Sequence, residues 1–428
     1  MAPQQEQLHA DELFRPDTCR NVVAMRVTMS GPVDVDALDR AVRLLGERQA
    51  MLRAGVGVDD LGDPVLAVAG ATPTLTRLAA APTAVAALAS EPFGCLAGPL
   101  VRFTWWPVTA STSTLLVSAH HLVLDGASGP LLVDGLAAGY RAAAEDPVPD
   151  YRAYATERAG RAWAPGEDDA DRHWSDYLAG IAGAPLWPPR QGAVGAGSVR
   201  RRLDPGTAAR LTEFAAAHRV SPMALVLAGT AAAVATETAR DDLLIGVAYA
   251  DRDAEYDRTI GNFVDVLPVR MPAPQDRAAA PLGLLPDARE GLLNLLEYGD
   301  VPSSRIFRRA GLRNPIEVSV SMRRAWEHSV VVGDSTWTMS ELVLAQSPYP
   351  CSVDVAERQD GGLEIAVHHD RTRLDDGAAH RILAVLTDQL ALGKTRSGGT
   401  TQHAGSCASG NMRRSILSGD GPRRIGPR

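Results

Sequence analysis

Apolar positions recur along this chain with two periods, and the switches between them outline its elements. Asn21-Val22-Val23-Ala24-Met25-Arg26-Val27-Thr28-Met29 predicts a strand after an irregular lead. Gly31-Pro32 ends it, and Asp34 and Asp36 then open a helix whose apolar residues Val35, Leu38, Val42, Leu45 and Leu52 keep helical spacing. Gly98-Pro99-Leu100-Val101-Arg102-Phe103 and Ser113-Thr114-Leu115-Leu116-Val117 predict neighbouring buried strands, and residues 131–144 a helix. Proline and glycine in Trp187-Pro188-Pro189-Arg190-Gln191-Gly192-Ala193-Val194-Gly195-Ala196-Gly197 deny both regular structures and mark a linker. Asp204-Pro205 and Ser221-Pro222 are cap-plus-proline helix starts, the second leading into an alanine-rich helix that runs through Ala239. Leu243-Leu244-Ile245-Gly246-Val247-Ala248 predicts a buried strand, so the second half should begin with two helices and a strand.

Composition narrows the class without naming a function. At 428 residues, with 45% apolar and 22% charged positions, the chain reads as a soluble globular protein with room for a large core. No apolar run approaches the roughly 18 residues that a membrane helix needs, and Met1-Ala2-Pro3-Gln4-Gln5-Glu6 has no signal-peptide character, so a cytoplasmic protein without a membrane partner is expected. Cys19, Cys95, Cys351 and Cys407 are far apart and show no metal-ligand spacing, which predicts free thiols and no bound metal. The net charge is −8, but residues 394–428 carry seven Lys/Arg against one acid, leaving −14 on the rest. An acidic body argues against nucleic acid, and the glycine-, serine- and arginine-rich end predicts a flexible tail.

Candidate chemistry concentrates in Ser118-Ala119-His120-His121-Leu122-Val123-Leu124-Asp125-Gly126, where a predicted strand gives way to a predicted helix. Successive strand side chains face opposite ways, so one histidine should meet a substrate and the other should point inward. Asp125 is placed to fix the turn, and Gly126 lets backbone approach closely ahead of a helix N-terminus. A histidine base beside backbone N–H donors suits acyl transfer. A second pair, His368-His369, precedes Asp376-Gly377 at a spacing three residues longer and is read as structural, as are the isolated His173, His218 and His380.

The His-His-x-x-x-Asp-Gly string resembles the active-site motif of the condensation-domain superfamily, found in nonribosomal peptide synthetases and related acyltransferases. Weaker likenesses follow in the family's order. Glu47-Arg48-Gln49-Ala50-Met51-Leu52-Arg53 resembles its Arg-His-x-x-Leu-Arg segment with Gln49 in place of histidine, and Tyr151-Arg152-Ala153-Tyr154-Ala155 its Tyr-x-Asp-Tyr-Ala segment with Ala153 in place of the acid. His173-Trp174-Ser175-Asp176-Tyr177 resembles the region closing the family's first lobe, and Ile260-Gly261-Asn262-Phe263-Val264-Asp265-Val266 the Gly-x-Phe-Val-Asn-Thr segment, with Asp265 and Val266 replacing Asn-Thr. Leu312-Arg313-Asn314-Pro315-Ile316 resembles a Ser-Arg-Asn-Pro-Leu segment. Gln4-Gln5-Glu6-Gln7-Leu8 matches the family's first motif poorly, so the likeness is taken to span about residues 20–393.

The resemblance implies an α/β fold of two chloramphenicol-acetyltransferase-like lobes in a V-shaped pseudo-dimer with an active-site tunnel between them. Residues 1–180 would form the N-terminal lobe with the histidine motif, 181–198 the linker, 199–393 the C-terminal lobe and 394–428 the tail. It further implies His121 as the base or positioning group, His120 in support, Asp125 in an ion pair and Gly126 as a backbone donor near the oxyanion. A buried Asp125 needs a cation, and Arg252 and Arg270 are the candidates, with Arg252 preferred. No bound cofactor is implied: an acyl or peptidyl carrier protein would bring the donor on its phosphopantetheine, and a small amine or alcohol would accept it, giving an amide or ester. No adenylation or carrier-domain motif accompanies the string, so a free-standing condensation enzyme is expected. A coenzyme-A-dependent acyltransferase, a non-catalytic carrier-docking relative and an epimerising relative stay open.

Overall fold

The computed structural model describes residues 1–15, 18–68, 71–94, 97–144, 146–162, 169–181, 183, 185–272, 282–313, 315–324, 327–342, 344 and 348–391. The tail, Cys95, Cys407 and Asn314 lie outside them. The first half runs α1 (Pro3–Phe14), β1 (Val22–Ser30), α2 (Val35–Arg48), β2 (Ala54–Val58), β3 (Pro64–Val68), β4 (Leu75–Arg77), α3 (Val85–Ala89), β5 (Val101–Pro107), β6 (Thr112–His120), α4 (Ser128–Tyr140), α5 (Tyr151–Ala162) and α6 (Asp169–Tyr177). The second runs β7 (Ala196–Leu203), α7 (Pro205–Ala217), α8 (Pro222–Thr238), β8 (Asp242–Ala250), β9 (Val264–Pro272), α9 (Leu285–Tyr298), α10 (Ser303–Arg309), β10 (Val318–Arg324), β11 (His328–Val332), β12 (Ser335–Leu342), β13 (Cys351–Glu357), β14 (Leu363–Asp370) and α11 (Asp376–Ala391).

Among the described residues the strands form two six-stranded sheets and a separate β2–β3 hairpin. The first sheet has the order β11-β12-β1-β6-β5-β4 and the second β7-β14-β13-β10-β8-β9. Each carries its own helices over its own core. Leu38, Ala41, Val42 and Leu45 of α2 meet Leu132, Val133 and Leu136 of α4 over Met25, Val27, Leu115 and Val117 of the first sheet. In the second core, α8 is buried along nearly its whole length, packed between α11 and α9 over β8 and β10. No single described helix is long and apolar enough to cross a membrane.

The local signals explain most boundaries. Asp34 caps α2 by accepting the Asp36 and Ala37 N–H groups, and Asp204 and Ser221 do the same for α7 and α8. Ala239 ends α8 in the left-handed conformation. Two elements differ from expectation. The irregular lead is the helix α1, started by Pro3, and a strand, β7, precedes the two helices of the second half. The hairpin β11–β12 also joins the first sheet, with Thr28 of β1 opposite Thr338, so the sheets do not divide the chain at one point.

Candidate active site

β6 lies between β1 and β5, buried on both faces almost throughout, and ends on the first histidine of the motif. His120 is 1% exposed and turned inward. Its Nδ1 accepts the Leu122 N–H at 3.0 Å, so Nε2 carries the proton and faces Glu12 Oε1 at 3.0 Å. His121 begins the turn, its N–H donating at 2.7 Å to the carbonyl of Asn21, the residue just before β1. Its ring is half-buried, with Nδ1 enclosed and lacking a hydrogen bond of good geometry. Burial pushes the imidazole below its ordinary value, opposed in part by its own backbone carbonyl and by Asp125. A neutral ring near pH 7 follows.

Leu122, Val123 and Leu124 anchor the turn in the first core, each fully buried. Asp125 comes next, 1% exposed, and its carboxylate is saturated with donors. Ser128 gives it an N–H at 2.9 Å and its hydroxyl at 2.7 Å, which also tethers the start of α4; the Phe263 N–H adds a bond at 3.1 Å. Arg252 Nη2 lies 3.1 Å from both carboxylate oxygens, while its Nη1 donates to the Tyr256 and Thr259 carbonyls at 2.9 and 2.6 Å. The guanidinium also stacks 3.9 Å over the Phe263 ring. Gly126 is half-buried on the turn, two residues before α4 begins.

The other candidate cation stands elsewhere. Arg270, on β9, donates to Asp242 of the neighbouring β8 at 2.6 Å and to the Tyr177 and Ala179 carbonyls, so it is not a partner of Asp125. The reason is register: β8 and β9 pair antiparallel, with Leu244 opposite Arg270, which puts Asp242 within reach of that guanidinium. Gln49 keeps a full set of bonds in place of the family's histidine. Its Nε2 donates to the Arg258 carbonyl and its Oε1 accepts the Ile260 N–H, both at 2.9 Å. Tyr151 donates its hydroxyl to the Asn262 carbonyl, whereas Ala153 is exposed.

The second histidine pair sits on β14. His369 is buried with Nε2 2.7 Å from Asp376, and His368 lies 3.3 Å from Asp354. A cavity of about 520 Å³ lies where β12 faces the second sheet, lined among others by Arg200, Arg323, Glu341, Asp354 and His368. His173 stacks on Tyr298, and His218 and His380 bond carbonyls within their own helices. Cys351 is a buried free thiol, and Cys19 is buried. Among the described residues no cluster of His, Cys, Asp and Glu is arranged to hold a metal ion.

Sequence reasoning missed Ser128 and the residues that α1 brings to the turn. Gln5 Nε2 donates to the Leu122 carbonyl at 2.7 Å, Gln4 Nε2 to the Asn262 carbonyl at 2.9 Å, and Glu12 meets His120. The signal available was the proline opening a run of glutamines, which lacks an apolar face.

Two packed α/β lobes with a histidine at a strand end, backed by a buried Asp–Arg pair from opposite halves, define the class. The chain belongs to the condensation-domain family, whose model matches residues 1–391, more than the expected 20–393 at its N-terminal end. It is similar to surfactin synthase subunit 1 of Bacillus subtilis (strain 168), 24% identical over 377 residues, covering 83% of this chain and 10% of the synthase. The chain thus spans about a tenth of the length of such relatives. Among solved structures, the X-domain from teicoplanin biosynthesis superposes with a TM-score of 0.79 at 22% identity, covering 92% of this chain and 95% of that one. The first condensation domain of the calcium-dependent antibiotic synthetase, in complex with a substrate analogue, gives 0.73 at 17% identity, covering 93% and 97%.

Proposed function

We propose that this chain is a condensation enzyme of nonribosomal peptide or related biosynthesis, joining an amine or alcohol to an acyl group held as a thioester on the phosphopantetheine of a carrier protein. The observation that carries this reading is the half-buried His121, its imidazole kept neutral by burial at the end of β6. In the proposed step the acceptor nitrogen or oxygen attacks the thioester carbonyl carbon. The new C–N or C–O bond forms, the C–S bond breaks, and the acceptor's proton passes through His121 to the departing thiolate. With Nδ1 enclosed, Nε2 is the nitrogen that would meet the acceptor. The Gly126 N–H, ahead of the positive end of α4, is proposed to face the developing oxyanion. Asp125 holds the turn rather than the proton, since all its contacts are structural.

Intact-protein mass spectrometry of an acylated carrier tests this. The acyl mass should leave the carrier when the protein and a set of amines and alcohols are added, and His121→Ala should abolish that loss without unfolding the chain. Full turnover by His121→Ala would overturn the assignment. A second reading, a condensation-fold module that docks another protein, is favoured by the likeness to the X-domain, one structure of which is a complex with OxyB. Carrier deacylation that depends on His121 excludes it.

A further inference from the structure

We propose that Glu12 is a positioning residue for His121, and that α1 is a splint fastening the backbone on both sides of it. The inference deepens the proposed reading of His121 and rests on it only for its meaning in catalysis.

Two amides frame the His121 side chain, its own and that of Leu122, and each is tied through one intermediary to a single carboxylate oxygen. The Leu122 N–H donates to His120 Nδ1 at 3.0 Å, and the opposite ring nitrogen of His120 faces Glu12 Oε1 at 3.0 Å. The His121 N–H donates to the Asn21 carbonyl at 2.7 Å, and Asn21 Nδ2 donates to the same Glu12 oxygen at 3.0 Å, with Asp11 Oδ2 at 3.2 Å. Gln5, on the same helix, closes the frame by donating to the Leu122 carbonyl at 2.7 Å.

The chemistry of the imidazole makes this arrangement directional. Leu122 keeps its acceptor only while Nδ1 of His120 holds a lone pair, which requires the proton to be on Nε2. An ionised carboxylate facing Nε2 selects that tautomer, because it can accept from Nε2–H and repels a bare lone pair there. Burial favours the neutral carboxyl, but the hydrogen bonds from His120 and Asn21 hold Glu12 below its ordinary value, so it stays ionised. His120 is enclosed, with its side chain 1% and that of Glu12 14% exposed, so water competes poorly for either group. A backbone displacement of the turn would carry the His121 ring with it, and geometry at a reacting atom tolerates little displacement.

The experiment uses the full chain with ¹⁵N labelling and no substrate. In the wild type, the His120 ring should show the Nε2-protonated tautomer, and the His121 and Leu122 amides should exchange slowly. Glu12→Ala should give a mixed tautomer at His120 and speed exchange of both amides by about tenfold or more, while Val117 within β6 keeps its protection as proof of an intact fold. Glu12→Gln, which retains an acceptor oxygen, should restore both the tautomer and the protection. An unchanged His120 tautomer and unchanged exchange in Glu12→Ala would overturn the proposal. Because these readouts need no turnover, a failure of the base assignment, which His121→Ala tests, is seen separately.

Discussion

Asp125 illustrates how a side chain buried away from solvent can fix the geometry of the turn that carries His121. Both members of its ion pair are nearly inaccessible, at 1% and 8% exposure, so each has lost its hydration and must be repaid by the other and by hydrogen bonds. The carboxylate accepts from Arg252, Ser128 and the Phe263 amide, and the guanidinium is further held by two carbonyls. Removing one partner strands the other, which costs about 3–5 kcal/mol, whereas removing both leaves no bare charge. Asp125→Ala and Arg252→Ala should therefore each lower stability by about that much, and the double variant should lose clearly less than the sum. Urea denaturation of the four proteins gives the cycle. Additive losses would mean that the two residues do not act as a pair. The need for a cation was readable from the residues alone, since a carboxylate in an apolar turn demands one. Which arginine supplies it was not, because Arg252 is 127 residues away and Arg270 is similarly placed in sequence until the β8–β9 register assigns it to Asp242.

At the scale of elements, the segment between β8 and β9 does most to join the halves. It carries Arg252, the carbonyls that bind it, the Gln49 contacts and Phe263, and it lies against α5. Gly261 is the tight point. A Cβ there would fall 2.1 Å from the Tyr151 ring, in a place where that ring is itself buried between Tyr154 and Phe263. Gly261→Ala should therefore destabilise the chain by about 1–3 kcal/mol, seen as a lower denaturant midpoint at unchanged slope. No change in midpoint would mean that Tyr151 moves freely. Among elements with aliphatic buried surfaces, α2 was legible from its helical spacing, α8 from its cap-plus-proline start and alanine run, and β6 and β8 from their continuous apolar runs. α1 and β7 were not, for a common reason. The buried residues at the start of α1 are glutamines satisfied by hydrogen bonds, and Arg200 and Arg202 of β7 pair with Glu364 on the adjacent strand, so neither element shows an apolar pattern. The strand-to-helix turn carrying the candidate histidines was legible because its spacing is local, and its hydrogen bonds to α1 were hidden for the same reason that α1 was.

For the whole molecule, the question is whether two sheets with two cores behave as two domains. Alternating strands and helices with a Pro/Gly break near residue 190 were consistent with two lobes, but nothing local shows that the chain returns. In the structure it does so twice. Tyr256, Ile260 and Phe263 are part of the first core, and so are Val332, Trp337 and Met339 of the β11–β12 hairpin, with Trp337 fully buried. The first half therefore lacks part of its own core until the second has supplied it, and the Asp125–Arg252 pair adds a polar tie across the same boundary. Chains of this size with two independent cores melt in separate steps, because each core can open without exposing the other. Here, opening the second lobe withdraws β12 from the edge of β1 and leaves that strand unpaired on one side. Calorimetry should accordingly show one main transition, and Trp337→Ala, with a loss of about 3–5 kcal/mol, should lower that transition as a whole rather than split off a component from the first lobe. Two separable transitions in the wild type would mean that the shared elements are too weak to couple the lobes, and that the Asp125–Arg252 tie does not hold them together.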